Sequence, residues 1–124
     1  MNIPLIRPLA AATALLPLIG CVNTPVDPSA ERGPQGTVLY EVKVEASDPG
    51  AKIEANGDYV GEAPCVLKIY GDPDGTFHNF GRYDYTVRAF PAKPGQHEKV
   101  KTYRTGGWFT PEDQIPKQIY FDMK

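Results

Sequence analysis

The stretch "SDPGAKIEANGDYVGEAP", residues 47–64, decides the fold of this chain. Its four acids and three glycines suit either a ligand or metal site or two tight turns around a short strand. Pro49 and Gly50 fit the second and third positions of a turn, where proline presets φ and glycine accepts positive φ. Asn56-Gly57 is the pair that a type I′ hairpin turn requires. Turn chemistry therefore accounts for the stretch and predicts a hairpin.

The residues around these turns indicate how the hairpin packs. Gly61 lies inside the second strand-like run, which predicts a β-bulge or a close backbone approach there. The two turns would bring Ile53, Val60 and Leu67 together in one core. The acids are then scaffold residues and not ligands.

Outward from this hairpin, apolar residues alternate with polar ones at a period of two, which predicts half-buried strands. In "RYDYTVRAF" (82–90), the alternation predicts Tyr83 and Tyr85 on the core face with Val87 and Ala89. The run "EKVKTYR" (98–104) is more charged and is predicted near a sheet edge, where lysines discourage unwanted pairing. The other strand-like runs are 37–46, 51–55, 65–70 and 117–124.

Composition supports the same fold class. Thirteen prolines and twelve glycines recur between short strands, and no segment has a helical period. We therefore predict an all-β chain, a small antiparallel β-sandwich of six to seven strands in one domain over residues 37–124.

The N-terminal residues predict export. "MNIPLIRPLAAATALLPLIGC" (1–21) has one basic residue, a short apolar segment and a small residue before a cysteine. These features are typical of a secretory signal over residues 1–20, and the apolar segment is too short for a permanent span. Leu-Ile-Gly-Cys resembles a bacterial lipobox, which implies diacylglycerol on the Cys21 thiol, cleavage before it, and acylation, with palmitate for example, of the new amino group. The alternative is an ordinary secretory signal with a chance cysteine.

Residues 21–36 are predicted to be the lipidated Cys and a flexible tether, because they are rich in proline, glycine and charge. The residue after Cys21 is Val22 and not the Asp that would signal retention in the inner membrane. In this respect the chain resembles lipoproteins that are sorted to the outer membrane. Without residues 1–20, twelve cations and fifteen acids remain, a formal charge of −3. That balance argues against nucleic acid and against a polybasic membrane contact. The predicted partner is the membrane, reached through the lipid on Cys21, and the predicted location is the bacterial cell envelope.

Cys65 is the only other cysteine. If Cys21 carries lipid, Cys65 has no intramolecular partner, and its strand-like run predicts a small buried hydrophobe. The alternative is a catalytic thiol, which would need His78 or His97 beside it.

A family resemblance rests on the pattern "PGAxIxxNGxxxGxxP" (49–64) and on "YDYTVRAF" (83–90). The chain resembles the PEGA domain, a small β-sandwich module of bacterial surface and envelope proteins. The resemblance covers residues 38–90 and implies a fold and a location. The family has no common catalytic residues, so no active site is implied. The loop 71–81 and the C-terminal third lie outside the pattern.

Those two unexplained segments hold the remaining candidate sites. In the loop, Asp72 and Asp74 are candidates for Ca²⁺, although the spacing fails the EF-hand template and also suits a plain turn. His78 would either join such a metal site or pack at an edge beside its aromatic neighbours.

The second segment, "YRTGGWFTPEDQIP" (103–116), places Tyr103, Trp108 and Phe109 near two glycines. Exposed aromatic side chains could stack on a glycan or anchor a partner protein. The alternative is that they cap one end of the sandwich.

No catalytic motif such as GxSxG or HExxH occurs in the chain, so we predict that it is not an enzyme. The favoured hypothesis is a lipid-anchored, non-enzymatic structural or binding module of the envelope. The alternative hypothesis is a lipoprotein that binds glycan or cell wall through the aromatic residues near Trp108.

Overall fold

The computed structural model describes residues 30–124, which form seven strands and one short 3-10 turn. The elements in chain order are the 3-10 turn (Pro34–Gly36), β1 (Val38–Ala46), β2 (Lys52–Ala55), β3 (Asp58–Glu62), β4 (Cys65–Gly71), β5 (Asp84–Phe90), β6 (Lys99–Arg104) and β7 (Gln118–Phe121). Within this part of the chain, no helix is long and apolar enough to cross a membrane.

The strands form two sheets, one in the order β4-β1-β7 and the other in the order β3-β2-β5-β6. This confirms the predicted small all-β sandwich. One pair departs from the antiparallel arrangement, because β7 runs parallel to β1. Because β7 and β1 run in the same direction, the β6–β7 connection carries the chain back toward the end of the sandwich at which β1 begins. As predicted, the charged strand β6 lies at a sheet edge.

The predicted turns are confirmed. Gly50 has a φ of +93° between β1 and β2. Asn56 and Gly57 have φ values of +51° and +88° and connect β2 to β3, as a type I′ turn requires. The Asn56 backbone N–H also donates to the Thr86 carbonyl oxygen at 2.8 Å, which ties this hairpin to β5.

The predicted bulge lies beside Gly61. Ile53 pairs with Gly61 and Glu54 pairs with Tyr59, so one residue of β3 has no partner on β2. A Cβ at Gly61 would meet Cys65 Cβ at 3.7 Å, an ordinary contact. The bulge, and not a close backbone approach, is therefore the feature that accompanies this glycine.

The core lies between the sheets and follows the period of two. Ile53 and Leu67 are buried, and Val60 packs against them from the partly buried rim, as predicted. Cys65 also packs at the rim, and its burial raises the pKa of the thiol, which disfavours the thiolate that a nucleophile needs. The buried apolar core residues are Val42, Val44, Ala51, Ile53, Ala55, Ala63, Leu67, Ile69, Phe77, Val87, Ala89, Ile119, Phe121 and Met123.

The domain begins before Thr37, where the sequence predicted the tether to end. Arg32 forms a β-bridge with Val38, and the Leu39 backbone N–H donates to the Glu31 carbonyl oxygen at 2.8 Å. Residues 31–36 are therefore folded against the start of β1. The predicted signal (1–20), the lipid site Cys21 and the tether up to residue 29 lie outside the described residues.

Candidate functional site

Two connections between strands meet at one end of the sandwich. One is the β4–β5 connection, residues 72–83, and the other is the β6–β7 connection, residues 105–117. We refer to these two connections together as the loop end. Thr76 forms a β-bridge with Gln114. The Phe77 backbone N–H donates to the Asp113 carbonyl oxygen at 3.1 Å, and the Ile115 N–H donates to the Gly75 carbonyl oxygen at 2.9 Å.

Further contacts close the loop end into one packed unit. Asn79 Nδ2 donates to the Gly106 carbonyl oxygen at 2.7 Å, and the buried Thr105 hydroxyl donates to the Arg82 carbonyl oxygen. Gly71, the last residue of β4, lies where the loops pack. A Cβ there would stand 2.7 Å from the Thr76 carbonyl oxygen and would overlap the Ile115 side chain. Both loops therefore pack closely against the end of β4 at this glycine.

Phe77 anchors the first loop in the core. Its ring is fully buried and lies 5.3 Å from the Tyr85 ring and 5.1 Å from the Tyr103 ring, measured between centroids. Because its side chain fills the end of the core, the loop is fixed to both β5 and β6. This anchoring holds the surface residues of the loop end in place.

Two aromatic side chains project from this surface. Trp108 is 90% exposed and Phe109 is 95% exposed. They occupy a turn that is closed by the Gly107 backbone N–H, which donates to the Thr110 carbonyl oxygen at 2.8 Å. Of the two predicted alternatives for these residues, exposure is observed and capping of the core is not. We call Trp108 and Phe109 the aromatic tip.

A cleft of about 400 Å³ lies beside the aromatic tip. Its lining includes Tyr83, Arg104 and Thr110 together with the tip. Tyr83, which is 70% exposed, was predicted to face the core, and this prediction was wrong because β5 begins one residue later, at Asp84. Arg104 Nη2 lies 3.7 Å from Asp113 Oδ1. Sequence reasoning missed both Tyr83 and Arg104 as cleft residues. Arg104 lies two positions before Gly106 in the sequence, which could have indicated it, whereas Tyr83 approaches Gly107 only in the fold.

Tyr103 does not join this cleft. The structure places its ring against Phe77 at the rim of the core, and burial raises the pKa of its hydroxyl. Of the three aromatic residues predicted to bind a ligand together, two therefore lie at the surface tip and the third packs, partly buried, at the rim of the core.

The candidate calcium ligands have structural partners. Asp74 Oδ1 accepts hydrogen bonds from the Thr76 backbone N–H at 3.1 Å and from the Thr76 hydroxyl at 2.6 Å, and these bonds lower the pKa of Asp74. Asp72 Oδ1 lies 2.8 Å from His78 Nδ1. Within residues 30–124, no group of three or more His, Cys, Asp or Glu side chains is placed to hold a metal ion. The Asp-Pro-Asp-Gly sequence thus forms a turn, closed by the Gly75 backbone N–H, which donates to the Asp72 carbonyl oxygen at 2.9 Å, and stabilised by the Thr76 hydroxyl and backbone N–H.

His78 connects the loop end to the N-terminal segment. Its Nε2 lies 2.9 Å from Gln35 Oε1, and its ring meets the Phe80 ring edge-on with centroids 4.5 Å apart. It therefore packs at an edge beside Phe80, one of the two predicted alternatives, and also contacts residues far apart in sequence.

The raised pKa of the Tyr85 hydroxyl is expected to make the folded protein less stable at alkaline pH. Tyr85 lines a pocket of about 210 Å³ beside Phe77, and burial raises its pKa to about 12 from an ordinary value of 10. Because the folded-state pKa is the higher one, the neutral phenol's contribution is complete below pH 10 and is lost as pH rises toward about 12. Allowing for the exposed part of the ring, we expect a loss of up to about 2 kcal/mol.

The measurement is urea denaturation at several pH values between 9 and about 12, on the wild type and on Tyr85→Phe. The variant should flatten the decline in unfolding free energy over this range. An equal decline in both proteins would show that Tyr85 is not the group responsible.

Comparison of the chain with protein-family models, curated proteins and solved structures finds no match. The resemblance to the PEGA domain therefore remains a prediction from the motif residues. What the fold and the site define is a small all-β sandwich with a packed loop end and an exposed aromatic tip.

Proposed function

We propose that this chain is a non-enzymatic binding module of the bacterial cell envelope, anchored to the membrane by lipid on Cys21. The residue after the anchor, Val22, favours the outer membrane as its destination. The loop end is the binding surface, and the anchor keeps that surface close to the membrane.

The observation that carries the proposal is the exposure of Trp108 and Phe109. Both rings are almost wholly in solvent, although a domain of this size needs its large apolar side chains for the core. Their turn rests on a loop that is hydrogen-bonded to the rest of the loop end, so the aromatic tip is held in position before any partner arrives. Rigid aromatic residues on such a support are typical of binding surfaces.

The bonded carboxylates of the loop end support a binding role over a catalytic one. Asp113 accepts from the Arg104 backbone N–H through Oδ2 at 2.7 Å and pairs with the Arg104 guanidinium through Oδ1. The Asp74 carboxylate accepts hydrogen bonds from the Thr76 hydroxyl and backbone N–H. These carboxylates stabilise the loops, and acid–base catalysis would require groups that are free to exchange protons with a substrate.

The proposal is tested by crosslinking in envelope membranes. A tagged full-length chain is crosslinked in cells, purified from the membranes, and analysed for attached protein, glycan and lipid. A chain carrying Trp108→Ser and Phe109→Ser should lose components that the wild type retains. Tyr120→Ser is the control, because Tyr120 is a 49% exposed aromatic on the outer face of β7. Identical components in all three chains would contradict a binding role for the loop end.

A second candidate function is glycan recognition, favoured by the cleft in which Tyr83 and Arg104 lie beside the tip. Aromatic faces stack on sugar rings, and guanidinium and hydroxyl groups form hydrogen bonds with the polar substituents of the sugar. Titration with cell-wall fragments or surface polysaccharide should then shift the emission of Trp108, the only tryptophan in the chain. Unchanged emission at saturating concentrations would remove this candidate.

A further inference from the structure

The aromatic tip has no partner within the described part of the chain beyond the contact between its own two rings. The Trp108 and Phe109 ring centroids are 6.3 Å apart and the planes are inclined by 44°. This pair does not form a flat platform of the kind on which one sugar ring stacks. It forms a small apolar projection that includes a tryptophan, and tryptophan is enriched where proteins meet the lipid–water interface.

The N-terminal segment joins the domain at the same end as the aromatic tip. The Tyr70 hydroxyl, near the end of β4, donates to Glu31 Oε1 at 2.7 Å, and Gln35 contacts His78 in the loop end. The described chain therefore begins in the loop-end half of the sandwich, beside the start of β1.

The distance from anchor to domain is short. Ala30 is the ninth residue after Cys21, and nine residues span at most roughly 30 Å when fully extended. The nine-residue strand β1 runs the length of the sandwich, and at about 3.3 Å per residue it is also roughly 30 Å long. A lipid on Cys21 thus keeps the loop end within reach of the bilayer.

The charges next to the tip are balanced. Arg104 Nη2 lies 3.7 Å from Asp113 Oδ1, and Arg82 Nη2 lies 4.0 Å from Asp84 Oδ1. A surface of this kind gains little from anionic headgroups, whose attraction needs several unpaired basic residues. Contact with a bilayer would instead depend on the apolar rings, and it would be insensitive to headgroup charge.

We propose that the aromatic tip, Trp108 and Phe109, inserts into the interfacial region of the bilayer that carries the lipid anchor, so that the loop end faces the membrane. This inference rests on the proposed anchor at Cys21 and names the partner of the proposed binding surface. The anchor raises the effective concentration of the tip at the membrane, so two aromatic rings are sufficient where they would bind weakly from solution.

Trp108 itself is the probe for the test. The lipidated full-length chain is purified from membranes and reconstituted into phosphatidylcholine vesicles. Brominated lipids should quench Trp108, and quenching by aqueous iodide should be several-fold weaker than for the same chain released from its anchor by proteolysis within the tether. Phe109→Ser should restore much of the iodide quenching, and Tyr120→Ser should leave it unchanged. Vesicles containing phosphatidylglycerol should give the same result.

Three outcomes would overturn the inference. A chain that sediments with the vesicles while Trp108 stays fully open to iodide would refute insertion and leave the anchor intact. Protection confined to anionic vesicles, or protection that appears only when a glycan is added, would assign the tip to another partner. A chain that does not sediment with vesicles would refute the anchor, and the proposed function with it.

Discussion

Replacing Phe77 by alanine should lower the free energy of unfolding by about 3–5 kcal/mol, the usual cost of deleting a buried phenylalanine ring. The ring packs on both Tyr85 and Tyr103 and is, with Phe121, one of the two largest fully buried side chains of the described residues. A domain of this size has a total stability of only about 5–15 kcal/mol, so the change would consume a large part of it. The loop end should loosen first, because Phe77 is the residue that fixes the first loop to the core.

Phe80→Ala is the matched control for this change. It removes the same side chain from the same loop, but Phe80 is 46% exposed and packs mainly on the edge of His78. Its cost should therefore be much smaller, of the order of 1 kcal/mol or less. Urea denaturation followed by far-ultraviolet circular dichroism measures both. Equal losses for the two variants would contradict the assignment of Phe77 as the anchor.

The fold could be predicted because its determinants are local. The Asn56-Gly57 pair needs only its two neighbours to form a hairpin turn, and the period of two in β1 needs only the alternation of apolar residues. Both signals act over a few residues and neither depends on the rest of the chain. The charge on β6 likewise indicated its position at an edge from its own sequence.

The site depended on contacts between distant residues, which a single sequence does not reveal. The bond from Asn79 to Gly106 joins residues 27 positions apart, and the contact from Gln35 to His78 joins residues 43 positions apart. The sequence indicated two unexplained loops, and the structure brings them together at one end of the sandwich. Their meeting point was not predictable from periodicity.

The burial of aromatic residues near the strand ends also could not be predicted from sequence alternation alone. Tyr103 alternates correctly for a strand, and it is partly buried at the rim of the core because Phe77, from the β4–β5 connection, stacks on it. Tyr83 alternates with the core face of β5, yet it lies before the first paired residue and turns outward to line the cleft. Whether an aromatic residue near a strand end is buried depends on what packs over that end.

Replacing Cys21 by alanine should remove the chain from the membrane. Each buried methylene of an acyl chain contributes about 0.8 kcal/mol, and attachment is stable only when two or more chains act together. A lipidated cysteine would carry such a set, whereas the aromatic tip alone offers two rings. Without the Cys21 thiol there is no site for the diacylglycerol, so the remaining contact should be too weak to retain the protein after washing.

Cys65→Ala is the control, because Cys65 is the only other cysteine and lies partly buried at the start of β4. Radiolabelled palmitate is supplied to bacteria that express the wild type, Cys21→Ala or Cys65→Ala, and the purified chains are compared by autoradiography. A lipid anchor at Cys21 predicts label in the wild type and in Cys65→Ala, and its complete loss in Cys21→Ala. Label of equal intensity in Cys21→Ala, or none in the wild type, would contradict a lipid-anchored module of the envelope.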